Sequence, residues 1–159
     1  MAQEEVERGE TEQTVVREVH VDARPETVFA FFTDPGKMTR WKGRKATLDP
    51  RVGGVYLVEI NDQAVARGEF VEIDPPRRVV FTWGWDGHPM VPPGSSTVEV
   101  ELAPDGDGTL LRLTHRGLPE EEVDQHAHGW DHFLPRLVTA APGGDPGPDP
   151  MSQSMESGA

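Results

Sequence analysis

The stretch QHAHGWDHFLPRLV, residues 125–138, decides the fold. Trp130, Leu134 and Leu137 recur at helical spacing with Phe133 beside them, which makes one apolar stripe on a helix. Glu120, Glu121 and Glu122 precede it, where the positive end of a helix dipole favours acidic groups, and the pattern runs to about Ala140. A long helix with a single apolar face needs a surface to lie on, and the segments before it alternate like strands. Together they predict an α+β domain. Pro135 removes a helical hydrogen bond and predicts a kink between Asp131 and Pro135, and Gly129 predicts close passage of an aromatic or a strand.

Working outward, six strands are expected, at 14–21, 55–60, 64–73, 78–85, 95–102 and 109–115. In the first, Val15, Val19 and Val21 share a face with Arg17; in the last, Leu111, Leu113 and His115 face inward. The fourth is the most aromatic, with Val79, Phe81, Trp83 and Trp85 on one side, too bulky to be matched by small residues opposite. Gly68 marks a bulge or a close approach to the backbone, and Gly53-Gly54 and Asn61-Asp62 mark turns. Between the first two strands, Pro25 suits a first helical turn and Val28, Phe29 and Phe32 keep a helical rhythm until Pro35-Gly36 breaks it. A second short helix is expected around 37–41, so that Phe32, Met38 and Trp41 cap an opening.

The composition excludes several chemistries. The chain has no cysteine, which removes disulfides, thiolate catalysis and thiolate-held metals. The formal charge is −13, and the densest basic stretch, 37–51, reads as a solvated helix end and loop, so no nucleic-acid partner is expected. Apolar runs are too short to span a membrane and the acidic start is unlike a signal peptide, which makes the cytoplasm the expected location. Five Glu in the first twelve residues, and four Pro with four Gly in the last nineteen, predict unstructured ends at 1–13 and 141–159 around a domain at 14–140.

No set of residues assembles a catalytic triad or paired carboxylates. His128 and His132 share a helical face, but the Glu of a metalloprotease helix is replaced by Gly129, and His126 points elsewhere; no metal or other cofactor is expected. Asp105 and Asp107 belong to a hairpin turn, since a calcium loop would need a closing Glu. Arg17, His115 and Tyr56 are the polar candidates for an interior, each requiring a partner if buried.

On VDARPETVFAFFTDPGKMTRW (21–41), VGG (52–54), GEFVEIDPPRRVVFTWGW (68–85) and HAHGWDHFLPRL (126–137), the chain resembles the helix-grip group of START-like or Bet v-type (SRPBCC) proteins. Within that group it resembles bacterial relatives of the carboxy-terminal domain of the activator of the heat-shock protein 90 ATPase. The resemblance implies a six-stranded curved antiparallel sheet wrapped around the long last helix, with two short helices after strand 1. It also implies a pocket between helix and sheet, for which Phe32, Met38, Trp41, Tyr56, Phe70, Phe81, Trp83, Trp85, Leu113, His115, Trp130, Phe133, Leu134 and Leu137 are the candidates. Binding of a small hydrophobic or amphipathic molecule is the expected function. A polyketide cyclase/aromatase-like enzyme using His115 or Tyr56 to move a proton is one alternative, and a protein-interaction or chaperone-cofactor module is another. The expected state is a monomer or a homodimer. A chaperone role is discounted because the sequence lacks the separate amino-terminal domain of the eukaryotic activator.

Overall fold

The structure, a computed structural model, describes residues 14–151; of the ends expected to be unstructured, 1–13 and 141–159, the first and the stretch 152–159 lie outside the described residues. One antiparallel sheet is built from β1 (Thr14–Val21), β2 (Lys45–Leu48), β3 (Val55–Glu59), β4 (Val65–Asp74), β5 (Arg78–Trp83), β6 (Ser96–Asp105) and β7 (Gly108–Arg116), in the order β1-β7-β6-β5-β4-β3-β2. Helices α1 (Pro25–Thr33) and α2 (Pro35–Met38) connect the two edge strands, and α3 (Glu120–Ala140) closes the fold. The sheet therefore has seven strands where six were expected. The missed strand, β2, is a four-residue edge strand whose exposed Lys45 and Thr47 alternate with half-buried Ala46 and Leu48, too short for a periodic signal to emerge from a basic stretch.

Strand phase follows from alternation. Phe70 pairs with Phe81, Phe81 with Val98, Val98 with His115 and His115 with Val15, so one row of buried side chains crosses five strands. Trp83 lies two residues along β5 on the same face, and Trp85 lies just past its end, bridged to Ala66. Gly68 is required by close approach: a Cβ there would stand 1.9 Å from the Thr82 carbonyl oxygen. The register irregularity of β4 comes slightly later, between Phe70 and Glu72.

The inner face of α3 buries Val123, Trp130, Phe133, Leu134, Leu137 and Ala140, each large side chain contributing roughly 1.5–3 kcal/mol by leaving water. The helix continues through Pro135, whose ring is exposed. Arg17 ties it to β1 by donating from Nε to Asp131 Oδ1 at 2.7 Å. The two short helices bury Val28, Phe29, Phe31, Phe32 and Met38, and the Asp34 carboxylate caps α2 by accepting from the Lys37 backbone N–H. Beyond α3 the chain turns back along the body. Arg136 donates to the carbonyls of Trp41, Pro146 and Gly147, Asn61 Nδ2 donates to the Met151 carbonyl, and His132 Nε2 lies 2.8 Å from Asp149 Oδ1. No helix among the described residues is long and apolar enough to cross a membrane.

Candidate functional site

A cavity of about 530 Å³ opens where the end of β5, the β3–β4 turn and the first half of α3 meet. Exposed Gln63, Gly87, Pro89 and Gln125 surround its mouth, and buried Trp83, Trp130, Phe133 and Lys42 line its deep end. Trp85, His126, Glu122, Gly129 and Met151 contribute walls. Gly129 meets nothing within 4 Å of where a Cβ would stand, so the close passage expected at this glycine is instead open cavity.

Four of the residues picked from sequence, Trp83, Trp85, Trp130 and Phe133, line this space. The other ten do not. Phe32 packs edge-on against Trp41 at 5.3 Å, and Trp41 donates its indole N–H to the Phe31 carbonyl, so with Met38 they fill the core under the short helices and leave no opening there. Tyr56 stacks on Phe81 at 4.0 Å with Phe70 edge-on, 1 % exposed, and burial pushes its phenol far up from its ordinary value. Leu113, Leu134 and Leu137 are packed core. His115 is fully buried behind Trp130.

The bonding of His115 fixes its chemistry. An indole N–H can only donate, so the 3.0 Å contact from Trp130 Nε1 makes His115 Nδ1 an acceptor. Ser96 Oγ gives its proton to the Trp83 carbonyl, so at 2.8 Å it accepts from His115 Nε2–H. His126 is held in the opposite tautomer, accepting at Nε2 from the Trp85 indole and donating from Nδ1 to the Glu122 carbonyl. Both rings are neutral with every nitrogen engaged. Burial pushes His115 well below the ordinary histidine value, and the neighbouring His126 and Lys42 push the same way; burial also lowers His126. The proton-moving group expected at His115 or Tyr56 is thus reachable from solvent at neither position.

Lys42 was not singled out from the sequence, where it lies in a stretch expected to be solvated. It is 2 % exposed, and its Nζ sits 3.9 Å from the ring centre of Trp83 and 4.1 Å from that of Trp130, with no hydrogen-bond partner. Burial pushes its amine well below the ordinary lysine value. Two indole faces offer a cation about 2 kcal/mol each when desolvated. Stripping water from an ammonium costs several kcal/mol even after relaxation, and no carboxylate contributes to its electrostatics. Burial therefore opposes the ammonium while the two indole faces support it, and the amine gives up its proton more readily than an exposed lysine does. The only sequence signal was its position directly after a core tryptophan. Two further cavity-lining residues hold buried polar atoms with no hydrogen-bond partner, Trp83 at Nε1 and Glu122 at Oε1; the latter lies 3.7 Å from His88 Nε2 and 3.8 Å from His126 Nδ1.

His128 is exposed and His132 is engaged with Asp149; among the described residues no group of three or more His, Asp or Glu is arranged to hold a metal ion. Large apolar side chains that remain exposed in the described residues are Val52, Val71, Met90 and Leu110, on four different elements or loops.

A model of the family described as Activator of Hsp90 ATPase homolog 1-like protein matches residues 22–141. Among solved structures, an AHSA1-like protein of Rhizobium etli is 51% identical over 86% of either chain, with a TM-score of 0.69. CalU16 of Micromonospora echinospora is 30% identical over 80% of this chain and 76% of its own, with a TM-score of 0.65. An HSP90 activator of Plasmodium falciparum is 27% identical over 79% of this chain and 93% of its own, also with a TM-score of 0.65. No curated protein matches the sequence.

Proposed function

The chain belongs to the Activator of Hsp90 ATPase homolog 1-like family, of the SRPBCC helix-grip fold, and from that premise we propose that it binds a small hydrophobic or amphipathic molecule in the cavity between α3 and the end of β5. The observation that carries this reading is the cavity itself. At about 530 Å³, with Trp83, Trp85, Trp130 and Phe133 in its walls, it falls within the roughly 300–1,000 Å³ of small-molecule sites that combine an apolar lining with a few polar groups. The apolar part of a ligand lies against the indoles, and its polar end meets the few unsatisfied groups of the lining.

Three of the four tryptophans line the cavity, so intrinsic fluorescence reports its occupancy. Titration with 1-naphthol, an uncharged amphipathic ring, should quench that fluorescence saturably. Gly129→Leu projects a side chain into the open space and should weaken binding at least tenfold while the chain stays folded. Equal affinity in Gly129→Leu, or quenching that never saturates, removes the cavity as the binding site.

A further inference from the structure

We propose that Lys42 is a nucleophilic amine that captures a hydrophobic aldehyde or ketone in the cavity as an imine. This rests on the cavity being a ligand site and goes beyond it by naming the reactive group of the ligand and the residue that engages it.

The lysine is built into position. Its backbone N–H donates to the Met38 carbonyl at 2.9 Å, and the preceding Trp41 is anchored through its indole to Phe31 and through its carbonyl to Arg136 of α3. The next residue, Gly43, has φ +84, and a Cβ there would stand 2.5 Å from Val58 Cγ1 and 2.9 Å from the Glu59 carbonyl oxygen. Arg44 N–H then bonds the same carbonyl at 2.8 Å. A segment pinned at every residue directs one side chain inward, to a place where Nζ touches two indole faces and finds no acceptor. A lysine placed only to neutralise charge would have a carboxylate beside it, whereas the groups that face it are Trp83, Trp130 and the neutral histidines His115 and His126.

Burial makes such an amine easier to deprotonate, and loss of that proton frees the lone pair, which is how a lysine desolvated in an apolar pocket becomes a nucleophile towards carbonyl carbon. The Nζ lone pair forms the C–N bond as the carbonyl π pair moves to oxygen. One proton passes from nitrogen to that oxygen, giving a carbinolamine. The nitrogen lone pair then expels the hydroxyl group, which leaves as water with the second amine proton, so that amine and carbonyl become imine and water with no oxidant or reductant. Water at the mouth beside Gln63, Gly87 and Gln125 carries the protons, because the ring nitrogens of His115 and His126 are all engaged. The indole faces of Trp83 and Trp130 suit a conjugated or aromatic carbonyl compound.

The chain has three lysines, and Lys37 and Lys45 are exposed, so they serve as internal controls. The full chain is incubated at pH 7 with cinnamaldehyde and sodium cyanoborohydride, and the reduced adducts are mapped by peptide mass spectrometry. The expected result is one early adduct on Lys42, at least tenfold faster than on Lys37 or Lys45, and lost in Lys42→Arg. Binding of cinnamyl alcohol, which cannot form an imine, is followed in parallel by tryptophan fluorescence. If the alcohol binds saturably but Lys42 labels no faster than the exposed lysines, the imine proposal is overturned and the cavity reading stands. If neither compound binds and Lys42 is unlabelled, both fail. Because the wild-type chain carries its own controls, the outcome does not depend on how well the variant folds.

Discussion

Lys42→Met replaces the buried amine by a side chain of similar length that needs neither hydrogen bond nor charge, and its effect should depend on pH in a defined direction. The folded-state value of the amine is depressed by burial, so below the ordinary lysine value of about 10.4 the unfolded chain holds a proton that the folded chain does not. Lowering the pH from there favours the unfolded wild-type chain by about 1.4 kcal/mol per pH unit, until the folded-state value is reached. Lys42→Met is free of this penalty. Its stability advantage over wild type should grow as the pH falls from about 9.5 to about 7.5, by at most about 1.4 kcal/mol per pH unit. Urea unfolding of both proteins at four pH values in that interval measures it, and subtraction cancels the titrations they share. His115 and His126 face Lys42, but burial keeps both neutral throughout this interval, so their titration adds little to the difference. A difference independent of pH would mean that the amine stays charged in the fold, and both the site description and the imine chemistry would then lose their basis.

Three further outcomes test the architecture. Gly68→Ala drives a methyl group to 1.9 Å from the Thr82 carbonyl oxygen, so β4 and β5 must separate; a loss of about 1–3 kcal/mol or more is expected in thermal or urea unfolding. Gly129→Ala meets open space on α3 and should stabilise by about 0.5–1 kcal/mol, the difference in helix propensity alone. His115 should show the Nε2–H tautomer by nitrogen NMR and keep it at pH values below 6.5, where a free histidine gains a proton. Because its folded-state value is lowered, its contribution to stability is complete above about pH 6.5 and is lost as the pH falls below that. His115→Leu should flatten this acid-side slope and, by leaving the Trp130 N–H without an acceptor, cost about 1–3 kcal/mol at pH 7.

The sheet was legible wherever a strand alternates over many residues. The inward phase of Leu111, Leu113 and His115 and the shared face of Val79, Phe81 and Trp83 follow from periodicity, and the structure bears both out. Strand β2 was not legible, because four residues at an edge carry little pattern. The aromatic row expected along β5 divides in the structure: Phe81 finds Tyr56 and Phe70, whereas Trp83 and Trp85 face open space. Which end of an aromatic row is filled depends on side chains from other strands, and period-two patterning does not say which ones arrive. The same holds for Lys42. A lysine among basic neighbours reads as solvated, and only the folded chain brings residues 83 and 130 up to its amine. The Trp130–His115–Ser96 chain joins three elements for the same reason, and only the inward phase of His115 hinted at it.

The placement of β1 and β2 at opposite edges of the sheet sets an order of events. The strand partner of β1 is β7, made far later in the chain: Glu18 meets Arg112 across 94 residues, and Arg17 meets Asp131 of α3 across 114. A nascent chain leaving the ribosome therefore carries an apolar first strand with no strand beside it until the last hairpin emerges, and such long-range closure is slow. Helices α1 and α2 can form in the meantime, but the edge they connect waits for the carboxy-terminal third. The cavity has the same dependence, since one of its walls is α3: the chain acquires a place for a ligand only once that helix has been made.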